Sequence, residues 1–256
     1  FFEWLRKYDD IVDYVLIDYL ILLGYKNFKQ KDTKWNKNYY SGGTISAQGC
    51  GPTSIADAVY DLVPSITPAK TAKWMEDNGC SCHGSGTYYS GMVKALKHYG
   101  YSDSVQLNYT SLYGKKNAAV VTDFLKKIRT DKYIGIACMG KSIWTTSGHY
   151  VFVREVTKDH IHIYDPWNSG GKYETTTRAE WEQYVKYLFL IKKPIKYIKT
   201  TKNCHKRKAP KALARTKSLG KFKKGQRLAV DKVQGKFYHI MGHDCWVYNV
   251  NTKVCK

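Results

Sequence analysis

The chain has 256 residues, 43% of them hydrophobic and 25% charged. That is enough apolar material for one large or two modest packed domains, so a disordered chain is excluded. No run reaches the ~20 uninterrupted apolar residues of a spanning helix, which excludes an integral helical membrane protein; the nearest, residues 11–24, is broken by Asp13 and Asp18. The formal charge of +21 is uneven, because residues 196–256 hold 17 Lys and Arg against two acids, Asp231 and Asp244.

In chain order, residues 11–23 have helical period, and residues 1–26 are predicted to be an N-terminal helix or linker. The chain opens at Phe1 with no basic n-region, which predicts a piece processed or cut from a longer polypeptide. Residues 26–48, rich in Gly, Asn, Ser and Tyr, read as an irregular approach loop. From Gly51 the pattern turns helical: Pro52 suits a first turn, Ile55, Ala56, Val59 and Leu62 form one apolar face, and the helix is expected to end near Pro64. Further helices are predicted at 68–76 with Thr67 as N-cap, at 91–99 stopped by Gly100, and at 118–129. Strands follow at 133–139, 149–155, 160–165 and 187–191. Helices first and antiparallel strands later is the α+β pattern. Pro194 closes this unit, the domain boundary falls at about 195, and residues 196–256 alternate short apolar runs with Gly220, Gly225, Gly235 and Gly242, as a small all-β barrel would.

Cys50 is the sharpest chemical feature. It sits in Gln48-Gly49-Cys50-Gly51-Pro52-Thr53-Ser54, where a loop becomes a helix. A thiol at a helix N-terminus faces free N–H groups and the positive end of the macrodipole, which stabilise the thiolate, the nucleophilic form. The bland alternative is a buried structural cysteine. A base is expected from the run His149-Tyr150-Val151-Phe152-Val153, which a polar connection joins to Ile161-His162-Ile163-Tyr164-Asp165. If these form a hairpin whose paired residue numbers sum to 314, Val151 faces Ile163, Val153 faces Ile161, and His149 stands beside Asp165 at the open end. A one-residue slip would separate them, and a bulge would break the inference. A lone His149 would read as a satisfied core or surface histidine, and a lone Asp165 before Pro166 as a turn former. Together with Cys50 they fit the nucleophile, base and orienter of acyl transfer.

The blocks Gln30-Lys-Asp32-Thr-Lys-Trp35, Gly49-Cys50-Gly51-Pro52-Thr53-Ser54, Ser147-Gly148-His149-Tyr150 and Asp165-Pro166-Trp167 resemble the bacterial and phage C39-like cysteine peptidases, a papain-like group. The resemblance covers about residues 27–192, and the Gly-Cys-Gly-Pro-Thr-Ser block is its most specific part. It implies a papain-like fold, helices packed on an antiparallel sheet, with Cys50 as nucleophile, His149 as general base then acid, and Asp165 as orienter. It also implies a glutamine oxyanion donor. The position six before Cys50 is Thr44, so Gln30 is the first candidate and Gln48 the second. Trp144 and Trp167 flank the His and Asp and are expected to be core residues rather than cleft walls.

Cys80-x-Cys82-His83 and Cys204-His205 lack the second ligand pair that zinc spacing needs, so no metal site is predicted, and no cofactor. Cys138 reads as a core thiol, and one disulfide is plausible among Cys204, Cys245 and Cys255. In the basic segment, Arg207-Lys-Ala-Pro210, Phe222-Lys-Lys-Gly225 and Trp246-Val247 resemble a bacterial SH3-like module, with Phe237-Tyr238 where such modules commonly carry a Trp. A segment with 17 cations and two acids is drawn to an anionic polymer.

The resulting expectation is a two-domain cell-wall lytic hydrolase, endopeptidase or amidase, with 27–195 as catalytic domain and 196–256 as wall-binding domain. Its expected partners are Gram-positive peptidoglycan and anionic wall polymers such as teichoic acids, with no nucleic acid and no membrane insertion. The expected setting is extracellular or cell-wall-associated, as a phage endolysin, a virion-associated lysin or a secreted autolysin. Two alternatives stand beside it. One is a leader-peptide-processing peptidase, disfavoured by the lack of spanning helices and of a Walker-type ATPase motif. The other is a non-catalytic binder of teichoic acid or nucleic acid.

Overall fold

The computed structural model describes residues 26–107, 118–167, 174–211 and 218–255, so the predicted helix at 11–23 lies outside the described residues. The chain divides into two compact units, Phe1–Ala95 with Val105–Ile191, and Leu96–Ser104 with Lys192–Lys256.

β1 (Tyr39–Tyr40) and β2 (Gly43–Thr44) precede α1 (Ile45–Gln48), α2 (Cys50–Val59), α3 (Pro68–Asp77) and α4 (Tyr89–His98), all in the first unit except the end of α4 from Leu96. Then come β3 (Val105–Leu107), α5 (Ala118–Arg129), β4 (Tyr133–Met139), β5 (His149–Val156), β6 (His160–Tyr164), β7 (Thr175–Thr177), α6 (Arg178–Tyr184) and β8 (Val185–Lys192). One six-stranded sheet runs β3-β8-β4-β5-β6-β7, with antiparallel pairing in the β4–β5 and β5–β6 ladders that carry the site.

The amphipathic spacing of α5 explains the core. Val121, Phe124, Leu125 and Ile128 recur at one helical face and pack with Val151, Val153, Ile161 and Ile163 of the sheet. Phe124 stacks on Trp181 of α6, with ring centroids 5.8 Å apart. By contrast α2 is buried on every side from Gly51 to Val59, as an interior helix must be. Thr67 caps α3 by accepting from the Lys70 N–H at 3.3 Å.

Several expectations are corrected. Residues 26–48 are more ordered than a loop: β1 and β2 form a two-residue hairpin whose turn, Ser41-Gly42, has φ of 54° and 76°, both left-handed, which matches the strand twist. Helix α2 begins at Cys50 itself and ends at Val59, before Pro64. The 314 register is also wrong. Phe152 pairs with Tyr164 and Val153 with Ile163, then a bulge shifts the ladder so that Glu155 meets His162 and Val156 meets Ile161. On the His149 side of the bulge the slip is two residues, so side-chain faces are conserved there: Asp165 comes level with Val151 and lies diagonal to His149, whereas past the bulge the slip is three. All seven cysteines are free thiols, so the suggested disulfide among Cys204, Cys245 and Cys255 does not form.

The second unit is an antiparallel sheet of β9 (Lys196–Thr200), β10 (Cys204–Arg207), β11 (Ser218–Phe222), β12 (Arg227–Gln234), β13 (Phe237–Ile240), β14 (Cys245–Tyr248) and β15 (Thr252–Cys255), ordered β11-β10-β14-β13-β12-β9-β15. Ile198, Cys204, Phe222, Val230, Ile240 and Val247, drawn from six of these strands, join one apolar cluster. A flat sheet, with strands ~4.8 Å apart, could not bring six strands to one cluster, so the sheet curls over it.

Candidate active site

Helix α2 starts where the sequence places the nucleophile. The Thr53 N–H closes the first turn on the Gly49 carbonyl at 3.0 Å, leaving Cys50 at the first helical position, where backbone N–H groups have no intrahelical acceptor. Gly51 is required for a steric reason: a Cβ there would lie 2.2 Å from Thr87 Oγ1. That hydroxyl is itself fixed by Tyr40 Oη at 2.6 Å, and the Tyr150 hydroxyl donates to the Thr87 carbonyl at 3.1 Å. The start of α2 is thus pressed against a rigid Tyr-Thr-Tyr buttress.

His149 opens β5 and Asp165 follows the last residue of β6, both buried. Nε2 of His149 lies 2.6 Å from Asp165 Oδ1. The other ring nitrogen, Nδ1, is left for the side-chain hydrogen bond His149 shares with Cys50. Cys50, half-buried, completes the series. The structure therefore brings together the three side chains singled out from the sequence, in the order sulfur, imidazole, carboxylate.

The electrostatics follow from that order. Burial pushes the Cys50 thiol up, but the His149 hydrogen bond and charge, together with the Tyr150 and Gly51 N–H groups, outweigh it and bring the thiol below its ordinary range. Burial also disfavours charge on His149, yet hydrogen bonds to Asp165 and Cys50 raise its pKa to about 9. Asp165 is pushed up by burial and pulled down more strongly by His149 and by the Trp167 N–H, which donates to Oδ1 at 2.9 Å. At neutral pH this combination favours a thiolate–imidazolium pair.

A short strap, residues 28–31, ties the helix of Cys50 to the loop of Asp165. The Phe28 N–H donates to Asp57 of α2 at 2.8 Å. Lys29 Nζ donates to the Asp165 carbonyl at 2.8 Å and pairs with Glu174 at 2.5 Å. The Gln30 N–H donates to the Pro166 carbonyl at 2.8 Å, and Lys31 Nζ rests 3.4 Å from the Trp167 ring centroid. Sequence reading missed Lys29, since nothing local marks a lysine whose partner lies 136 residues away.

Gln30 is buried, with its amide Nε2 donating to the Ser46 carbonyl at 2.8 Å and more weakly to that of Ile45 at 3.4 Å. Gln48 is half-exposed and reaches the Gly84 carbonyl at 3.4 Å. Trp144 lies in the core as expected, whereas Trp167 is 45% exposed. Cys138 is a buried thiol whose pKa burial pushes up to about 12. Among the described residues no cluster of His, Cys, Asp and Glu is arranged to hold a metal, and no helix is long and apolar enough to cross a membrane.

The model of the Peptidase_C39 like family matches residues 22–189, which is more than half of the chain and spans Cys50, His149 and Asp165. The chain belongs to this family of cysteine peptidases. Among solved structures, this C39-like peptidase resembles the peptidase domain of Streptococcus ComA, a bifunctional ABC transporter of a quorum-sensing pathway, at 17% identity and a TM-score of 0.41, over 57% of this chain and 93% of that one. A C39-like peptidase of Bacillus anthracis matches at 14% identity and a TM-score of 0.40, over 57% and 89% of the two chains. Ly7917, solved with the hydrolysis product of MDP, matches at 17% identity and a TM-score of 0.25, over 79% and 88%. No curated protein matches the chain in sequence.

Proposed function

We propose that this C39-like peptidase is a peptidoglycan hydrolase, cleaving an amide bond through a thioester, and that its basic second unit, an SH3-like module, holds it to the anionic polymers of a Gram-positive wall. The observation that carries the catalytic half is the His149 ring set between the Asp165 carboxylate at 2.6 Å and the half-buried Cys50 thiol.

The Cys50 thiolate attacks the amide carbonyl, forming an S–C bond and a tetrahedral oxyanion. The Cys50 N–H, free at the helix start, is the first oxyanion donor; a side-chain donor would add ~10² to 10³ in rate, from Gln48, or from Gln30 on release of its weaker bond to the Ile45 carbonyl. His149, protonated, gives its proton to the leaving amine as the C–N bond breaks. It then takes a proton from water, which attacks the thioester and returns the thiolate. Asp165 holds the ring in the tautomer and orientation both steps need.

The wall setting rests on charge: 17 cations against two acids in residues 196–256 concentrate the enzyme at a polyanionic surface, where tethering raises the local concentration at an insoluble substrate. The setting is accordingly extracellular, as a phage lysin or a secreted autolysin. Digestion of purified Gram-positive peptidoglycan, followed by mass spectrometry of the fragments, tests the reading. New amine termini should appear with wild type and not with Cys50→Ala. Equal release by both removes Cys50 from the mechanism, and no release by either removes peptidoglycan as the substrate.

A further inference from the structure

The register of the second unit places three cations in one cross-strand row. Lys199 of β9 is directly opposite Arg227 of β12 on one side and directly opposite Lys253 of β15 on the other. All three side chains are exposed. Like charges facing each other across a ladder are destabilising, so the arrangement works against the fold. A lysine on an edge strand is a common guard against edge-to-edge pairing, and that accounts for Lys253 on β15. It does not account for Lys199, whose strand is paired on both sides, or for the Arg227 that faces it.

Nor do the acids of this segment pair with its two lysines. Residues 196–256 contain only Asp231 and Asp244. Both are drawn to His239: Asp231 Oδ1 lies 2.6 Å from its Nδ1, and Asp244 Oδ1 lies 3.7 Å from its Nε2. Among the described residues no carboxylate pairs with Lys199 or Lys253.

We infer that the row Arg227–Lys199–Lys253 is a binding site for consecutive phosphates of a linear phosphodiester chain. Neighbouring strands set the three cations at intervals of ~4.8 Å at their backbones, and long flexible side chains adjust this to the phosphate spacing of an extended polymer. The occupant is a base-free polyol phosphate rather than a nucleic acid. The aromatic ring beside Lys199 on β9, Tyr197, is covered by the Arg227 guanidinium at 3.5 Å from its centroid. Single-stranded nucleic acid binding gains much of its energy from bases stacking on open rings, and this one is closed. The inference rests on the wall-binding reading of the second unit and gives it named residues and a ligand chemistry.

The test titrates the full chain with a synthetic poly(glycerol phosphate) oligomer, followed by fluorescence anisotropy at several salt concentrations. The variant Lys199→Gln/Lys253→Gln relieves the repulsion, so it should fold at least as stably as wild type. The charge-matched control is Lys223→Gln/Lys236→Gln, two exposed lysines outside the row. The row variant should bind about tenfold or more weakly at low salt. Its salt slope should be shallower by about 1.5, because each of the two phosphates left without a cation contributes roughly 0.7 to 0.9 to the slope. The control should weaken less than about threefold, the part expected of general attraction alone.

Equal weakening in both variants would show diffuse attraction and overturn the row. Unchanged affinity in the row variant would do the same. Tighter binding of a single-stranded DNA oligonucleotide with the same phosphate number would overturn the base-free assignment. Cleavage of a soluble peptidoglycan fragment, measured alongside, separates the two claims. Intact binding with no cleavage by wild type sinks the hydrolase reading alone, and intact cleavage with row-independent binding sinks the row alone.

Discussion

Replacing Asp165 by Asn removes a charge while keeping the shape of the side chain. In the wild type His149 titrates at about 9 instead of 6.5, although burial alone would push it the other way. The net difference is about 3 kcal/mol in favour of the imidazolium, at 1.36 kcal/mol per unit, and the hydrogen bond from Nε2 to Asp165 Oδ1 at 2.6 Å is the largest favourable contribution. An opposite charge at this range is worth roughly 1 to 3 units, so Asp165→Asn should bring His149 down by about 2 units and raise the Cys50 thiol with it. The pH profile of kcat/KM on a soluble peptidoglycan fragment reports both. Wild type should show a plateau whose alkaline limb is the loss of the His149 proton near 9, and the variant should lose that limb downward with a fall in kcat of about 10² to 10⁴. Stability carries the same sign. The raised pKa of His149 contributes stability fully below 6.5 and loses it as pH rises through 9, so the variant should be less stable than wild type at pH 6 and closer to it at pH 10. An Asp165→Asn enzyme with its alkaline limb still near 9, or with activity within threefold of wild type, would refute this reasoning.

The strap and the core give three further expectations. Lys29→Met should lower kcat about tenfold with little change in KM, because Lys29 touches the Asp165 loop rather than substrate, and Lys29→Arg should restore part of it; unchanged kcat in Lys29→Met would remove the strap from the account. Gly51→Ala forces a methyl group to 2.2 Å from Thr87 Oγ1 and should destabilise by about 1 to 3 kcal/mol in urea unfolding, with a loss of activity, whereas wild-type stability would deny the buttress. Trp181→Ala should cost about 3 to 5 kcal/mol, since the indole is fully buried and stacked on Phe124, and a cost below 1 kcal/mol would contradict that packing.

What the sequence made legible is what local pattern controls. Helix α5 and strand β4 fall at the predicted residues because the first has a strong 3.6 apolar period and the second is a short continuous apolar run, buried from Ile134 to Met139. Thr67 was readable as a cap, because a hydroxyl before Pro68 has one obvious donor to serve. Strand β7 was missed because Thr175–Thr177 carries no apolar alternation, although β-branched threonines suit a strand. Helix α6 had a readable start: the Thr177 and Glu180 pair forms a capping box. The Ser41-Gly42 turn likewise had the residue type that a left-handed hairpin position favours.

The candidate site was legible for a related reason and with a related error. Cys50, His149 and Asp165 were found from a helix start and a hairpin, and the hairpin register was off by two. The pairing survived because side chains in a strand return to the same face every second residue, so an even slip keeps His149 and Asp165 neighbours while an odd one would have parted them. What local pattern does not encode is the long-range support: Lys29 on Asp165, Tyr40 on Thr87 and Thr87 against Gly51 join segments far apart in the chain. The same holds for the Lys199–Lys253 opposition, which exists only once β9 and β15 are paired.

The pH dependence of iodoacetamide alkylation at Cys50, followed by peptide mapping, tests the sulfur–imidazole pairing most directly. Cys50 should react rapidly on the acid side of an ordinary thiol's range while the buried thiols Cys80, Cys138, Cys204 and Cys245 stay unlabelled, and His149→Ala should return its profile to that ordinary range, near 8.5. A wild-type Cys50 that already titrates near 8.5, indifferent to His149→Ala, would contradict the account.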